Sequence, residues 1–172
     1  MTVKATLDPR YSDPAGEAVD WLVAQQRVAD AQVAWLVTVR ADGRPHTTPL
    51  VAVWHDGRAY FHTGEHEQKF ANLQTNPHVL VLAGDTHWDQ GLDVVIEGDA
   101  QRVEDEVLLA TIAGLYAERW DGRWGLVVRD GGLADPDMVG RSIVFEVTPS
   151  TAYGHTKGDP FGQTTYRFTT GV

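Results

Sequence analysis

Two Asp-Gly pairs, Asp42-Gly43 and Asp56-Gly57, sit between short runs of β-branched and aromatic residues, and they limit the fold more than any other feature. Glycine enters the left-handed backbone region without a Cβ clash and aspartate tolerates it, so such pairs close tight hairpins. Val33–Arg40, His46–Val53 and Arg58–His62 therefore read as three strands of an antiparallel meander. Val79–Ala83 is a continuous apolar run that suits a buried strand. Leu92–Val103 alternates, with Leu92, Val94 and Ile96 on one side and Asp93, Val95 and Glu97 on the other, and Gly98 marks a bulge or bend. Ser142–Val147 and Thr164–Thr169 read as the last strands.

The helical pattern lies around these strands. Asp13-Pro14 offers an N-cap and a proline at the first helical position, which predicts a helix over Pro14–Ala31 with Ala18, Trp21, Leu22, Val28 and Ala31 on its stripe. Glu67–Gln74 reads as a short helix stopped by Asn76-Pro77, and Glu106–Trp120 as a longer one. Asp121–Arg141, with five glycines, reads as an exposed loop region with one short ordered piece. About seven hairpin-connected strands with helices at the edges favour a small closed β-barrel over a βαβ sheet. At 172 residues the chain suits one domain: a polar arm over 1–13, a helix over 14–31, and a barrel with inserted helices over 33–169.

A formal charge of −10 argues against a nucleic-acid or anionic-membrane partner, because either needs a basic face. With no cysteine there is no disulfide scaffold, thiolate nucleophile or Cys-ligated metal. Met1–Tyr11 has no apolar signal core, and no run of roughly 18 apolar residues exists, so a cytoplasmic protein is expected. Any anion site must be local.

One segment has the chemistry for such a site. Thr63-Gly64 ends a strand, and Lys69 follows six residues after the threonine at the start of a helical pattern. A hydroxyl, open backbone N–H groups and an ammonium can gather there around a phosphate. The competing reading is a solvated lysine on a surface helix, and the spacing alone favours it. The seven histidines suggest a metal less well: His62 and His66 stand at i, i+4 but not on one helix, so no metal site is expected. Trp88, Trp120, Trp124 and Tyr153 fall in expected loops, where packing at an interface between subunits is the simplest role.

Taken in order, Trp35–Arg40, Gly43–Leu50, Thr63–Pro77, Asp93–Gly98 and Phe161–Phe168 resemble the pyridoxamine 5′-phosphate oxidase-like split β-barrel superfamily, and most closely its flavin and deazaflavin oxidoreductases. The resemblance implies a six-stranded antiparallel split barrel, a homodimer, and a cofactor cleft between subunits. It matches the cofactor-phosphate ligands to Thr63 and Lys69; Gly64, from its open backbone, and Asn72 join them as cofactor-binding candidates. His46, Thr47, Thr48 and Pro49 would lie along the ring, His46 as a possible donor. Arg167 would reach the cofactor from the partner subunit, with Gln163 a further cofactor-binding candidate; as an alternative to interface packing, Trp88 and Phe161 are candidates for the wall of the substrate pocket.

The implied activity is hydride transfer between FMN or the deazaflavin coenzyme F420 and a small conjugated acceptor. Arginine outnumbers lysine eleven to three, a usage common in GC-rich genomes, which tilts the cofactor slightly toward F420. Glu65, Glu67 and Ala71, where deazaflavin binders of the group often have basic residues, tilt it back. Gln163-Thr164-Thr165-Tyr166 stands in place of a basic Arg-Leu-His-like element, so oxidation of pyridoxamine phosphate itself is not expected. The alternative function is non-catalytic binding of a flavin, haem or tetrapyrrole in the same cleft.

Overall fold

The computed structural model describes residues 2–169; Met1 and residues 170–172, at the ends of the expected domain, lie outside it. The N-terminal stretch is not a free arm. Strand β1 (Thr2–Leu7) pairs antiparallel with the last strand, β11 (Gly162–Thr169), placing Val3 opposite Phe168 and Leu7 opposite Thr164. Nor does the first helix begin at Pro14: α1 is Trp21–Ala29, and its N-cap is Asp20, whose carboxylate accepts the Leu22 N–H at 2.7 Å. The preceding segment makes a turn closed by the Gly16 N–H on the Asp13 carbonyl, and is tied down by the Asp13 N–H on the Phe161 carbonyl and the Val19 N–H on Thr164 Oγ1. Gly16 makes that path possible, since a Cβ there would stand 3.0 Å from the Phe161 oxygen. Trp21, Ala24 and Val28 form the buried stripe, while Leu22 faces solvent.

Both Asp-Gly pairs close hairpins. Strand β2 (Ala34–Val39) turns through Gly43 at φ +85° into β3 (Pro45–Leu50), and β4 (Val53–His55) turns through Asp56 and Gly57, both at positive φ, into β5 (Arg58–Thr63). The expected continuous meander is absent, however. The second strand breaks at Val51-Ala52, and β3 pairs with β2 while β4 and β5 join another part of the sheet. Helix α2 (Gln68–Leu73) then leads to β6 (His78–Ala83) and β7 (Gly91–Arg102).

After α3 (Glu106–Arg119) comes a small hairpin, β8 (Val127–Arg129) and β9 (Gly132–Ala134), in the region expected to be loop. Its turn is a further Asp-Gly pair, Asp130-Gly131, with both residues at positive φ. Strand β10 (Ile143–Lys157) extends ten residues beyond the expected Val147 and organises the barrel. One edge pairs with β7 along its length; the other pairs with β5 over 143–147 and with β11 over 151–156. The changeover is a bulge at Ser150, because Pro149 faces Gly98 and Thr151 faces Glu97. Gly98 permits the bend: a Cβ there would meet the Thr148 carbonyl at 2.5 Å. The result is a mainly antiparallel split β-barrel, with sheet order β1-β11-β10-β7-β6-β2-β3 and the β4–β5 hairpin branching from β10.

Alternation along β5 separates two cores. Ala59 and Phe61 join the barrel interior with Leu36, Val81, Ile96, Phe145 and Trp21, while Tyr60 joins Leu109, Ile112, Tyr116 and Val144 under α3. Strand β5 is thereby clamped on both faces, which fixes the position of its last residue, Thr63.

Candidate functional site: an anion seat at the end of β5

Thr63, Gly64 and Lys69 converge on a single anion, the carboxylate of Glu67. Its Oε1 accepts the Gly64 N–H at 2.7 Å and the Thr63 hydroxyl at 3.1 Å, and its Oε2 pairs with the Lys69 ammonium. Lys69 is thus not a solvated surface residue: it and Thr63 are buried, at 8% and 1% exposure. An ammonium withdrawn from water needs a counter-charge at contact distance. Burial opposes ionisation of Glu67, but Lys69, the Gly64 N–H and the Thr63 hydroxyl outweigh it and hold the carboxyl below its ordinary pKa.

The backbone contribution differs in detail from expectation. The N–H that reaches the anion belongs to Gly64, ahead of the helix, and α2 is only six residues long, so the helix supplies Lys69 rather than its first amides. Gly64 is not in the left-handed region; its lack of a Cβ leaves room for the His66 ring and Glu67 Oε1, which would lie 2.8 and 3.4 Å from one.

One turn beyond Lys69, buried Asn72 donates to Thr38 Oγ1 at 2.8 Å, and Thr38 Oγ1 lies 3.4 Å from His46 Nδ1. Gln68 bridges Asn72 and Arg40, which ties the seat to the β2–β3 hairpin. Burial, then the charges of Arg40 and Lys69, lower the His46 pKa, so its imidazole is neutral at pH 7. Strand β3 is a sheet edge. His46 and Thr48 point to one face of it and the exposed Thr47 and Pro49 to the other; Thr48 Oγ1 is buried without a partner. An edge strand with an unsatisfied hydroxyl, linked by hydrogen bonds to an anion seat, suits a polar ring carrying a phosphate tail.

The remaining predicted residues lie elsewhere in the subunit. Gln163 and Arg167 are on β11, separated from β2 and β3 by β10, β7 and β6. Arg167 donates to Thr151 Oγ1 at 3.0 Å on the outer face of the sheet. Across that face the register aligns Trp35, Leu82, Val95, Tyr153 and Thr165 in one row and Val37, Leu80, Glu97, Thr151 and Arg167 in the next. Trp35 is 49% exposed there. Trp88 and Phe161, both exposed, stand on neighbouring loops that touch where Gly158 approaches the Asp89 carbonyl.

Trp120 and Trp124, expected at an interface between subunits, have partners within the chain and remain half-buried. They pack within the chain against Tyr116 and each other, and Trp124 lies edge-on to the His62 ring at 5.6 Å. Tyr153 is on a strand rather than in a loop. Burial lowers the His62 pKa, and its Nε2 has no partner. Among the described residues no three His, Asp or Glu side chains form a metal-binding group. Sequence reasoning missed Thr38 and the occupancy by Glu67; neither residue type nor spacing marks a threonine one strand away, whereas Glu67 was visible but read only as a missing base.

The family model described as pyridoxamine 5′-phosphate oxidase matches residues 23–156, from α1 to the end of β10. The chain belongs to this family. Among curated proteins there is no match. Among solved structures, this family member resembles the conserved hypothetical protein Rv2991 of Mycobacterium tuberculosis, with TM-score 0.64, 22% identity, and 82% of this chain and 86% of that chain covered. It also resembles an F420 reductase, at TM-score 0.55, 19% identity, and 74% and 94% coverage. The haem storage protein HutZ of Vibrio cholerae is similar at TM-score 0.55, 19% identity, and 75% and 86% coverage. At such identities these likenesses show the split-barrel fold. No helix among the described residues is long and apolar enough to cross a membrane.

Proposed function

We propose that the protein is an oxidoreductase that holds FMN or coenzyme F420 by its phosphate at Thr63, Gly64 and Lys69 and uses it on a small conjugated acceptor. The observation that carries this reading is the donor set itself. A hydroxyl, a backbone N–H and a buried ammonium already surround both oxygens of one anion, as a phosphate requires. A flavin or deazaflavin supplies hydride transfer when bound; the chain supplies position, charge and exclusion of water. Strand β3 would present its edge, His46 and Thr48 to the ring.

Arg167 completes the reading only in a homodimer. Its distance along the sheet from the seat, and its place beside the row that runs from half-exposed Trp35 through Leu82, Val95 and Tyr153, support a partner subunit packed on the outer face. A guanidinium from that partner would favour electron density on the ring's pyrimidine edge. Absorbance spectra of the purified protein, followed by titration with FMN, F420 and haem, test this function. Saturable binding of a flavin or deazaflavin supports it, and binding of haem alone would replace it with the sequestering role.

A further inference from the structure

A buried ammonium without a ligand needs an anion, and in this chain Glu67 provides it from two residues away. The same carboxylate takes the Gly64 N–H and the Thr63 hydroxyl, so all three donor groups of the seat already face one anion, and a second anion there would meet its like charge. Glu67 is not otherwise committed. Its side chain makes no capping bond to α2, although it stands at the N-cap position, and it is 38% exposed. It also forms part of the wall of a cavity of about 330 Å³ whose lining includes His62, Arg123 and Arg141. Arg141 Nε lies 3.8 Å from Glu65, and His62 brings an unpartnered buried nitrogen. A carboxylate leaving Lys69 would find positive charge on that side.

We infer that Glu67 is an internal competitor for the anion seat, so that a phosphate-bearing ligand binds Thr63, Gly64 and Lys69 only by displacing the Glu67 carboxylate toward the Arg123–Arg141 cavity. This rests on reading the seat as a phosphate site. The displacement makes the seat selective. A phosphate monoester dianion can replace the carboxylate on Lys69, whereas a ligand without an anionic group gains nothing from the seat and leaves Glu67 in place.

The test compares wild type with Glu67→Gln and Glu67→Ala, each first shown to be folded by circular dichroism. Glutamine keeps an acceptor for Gly64 and Thr63, so at least one variant retains the loop. FMN and riboflavin are titrated by fluorescence, and thermal unfolding is followed with rising inorganic phosphate. Removing the carboxylate should tighten FMN about tenfold or more, leave riboflavin unchanged, and let inorganic phosphate raise the melting temperature at concentrations that do not move wild type. Variants that bind FMN no better than wild type, where wild type binds it, would overturn the inference and leave the flavin reading intact. If no flavin binds any form, the phosphate response decides: stabilisation confined to the variants upholds the competitor and rejects the flavin, and a response absent from the variants or equal in wild type overturns the competitor as well.

Discussion

The end of β5 and the outer face of the sheet are opposite kinds of surface. At the end of β5 the Thr63 hydroxyl, the Gly64 N–H and the Lys69 ammonium each meet the carboxylate of Glu67, a side chain of the same protein, where the proposed phosphate would sit. Across the outer face, Trp35, Leu82, Val95 and Tyr153 stand in register beside the row that ends at Arg167, with Trp35 exposed and the other three half-buried. The first region is satisfied within the chain, and the second is the face the proposed homodimer would cover. A site built from both would bind its phosphate with residues of one subunit and address the reacting ring with Arg167 of the other, so affinity and reactivity should fail separately under mutation.

The largest effect should come from the outer face. Trp35→Asp places a charge in the apolar row and is expected to halve the mass seen by light scattering and abolish cofactor binding, while circular dichroism stays that of a folded barrel. A halved mass with cofactor binding retained would separate the two regions and refute the shared site.

Next is the seat. Lys69→Ala should weaken the phosphate-bearing cofactor by about 1.5–3 kcal/mol, on the order of 10- to 100-fold in Kd, and Thr63→Val by about 1 kcal/mol. Because Lys69 also neutralises Glu67, thermal unfolding of Lys69→Ala without cofactor should show a small destabilisation. Equal affinity in both variants would return the seat to a purely structural ion pair.

How much of this difference could be read from sequence depends on the range of the signal. The Asp-Gly turns, Thr63-Gly64 and Lys69 were legible because a turn and a strand-to-helix junction are local, set by a few residues. The β8–β9 hairpin carried the same sign, Asp130-Gly131, but its glycine-rich surroundings and three-residue strands masked it. Asp13-Pro14 reads as a helix start, but the chain makes a single turn there, and bonds to Phe161 and Thr164 tie 13–19 to the barrel so that the helix starts only after Asp20. The pairing of β10 with both β5 and β11, the depth of Thr38 and the exposed row on the outer face all depend on long-range register. A single chain's pattern does not encode that locally.

Arg167 should act on reactivity more than on affinity. Arg167→Ala is expected to lower the bound cofactor's midpoint potential by about 30–60 mV, equivalent to 1.5–3 kcal/mol for a two-electron couple, with a smaller change in binding of the oxidised form. Arg167→Lys should recover part of that shift, since a point charge lacks the planar fork. An unaltered potential would leave Arg167 as a partner of Thr151 alone.

The smallest effect concerns acid. The folded pKa of Glu67 is depressed below its ordinary 4.5, so the stability it contributes is fully present above 4.5 and is lost as pH falls through the lower, folded value. The difference in melting temperature between wild type and Glu67→Gln should therefore be constant near neutrality and shrink below pH 4.5. With the carboxylate partly exposed, the stabilisation behind that difference should be at most about 1 kcal/mol.

The most direct test of the seat is the preference for phosphate itself, measured as the ratio of Kd values for riboflavin and FMN, and for F420 and its chromophore without the phosphate tail, in wild type and Lys69→Ala. The phosphate-bearing form of the true cofactor should bind wild type at least about tenfold more tightly than its dephosphorylated counterpart, and the ratio should collapse toward one in Lys69→Ala. A wild-type ratio near one, or a preference that survives the loss of Lys69, would contradict a phosphate seat at Thr63, Gly64 and Lys69.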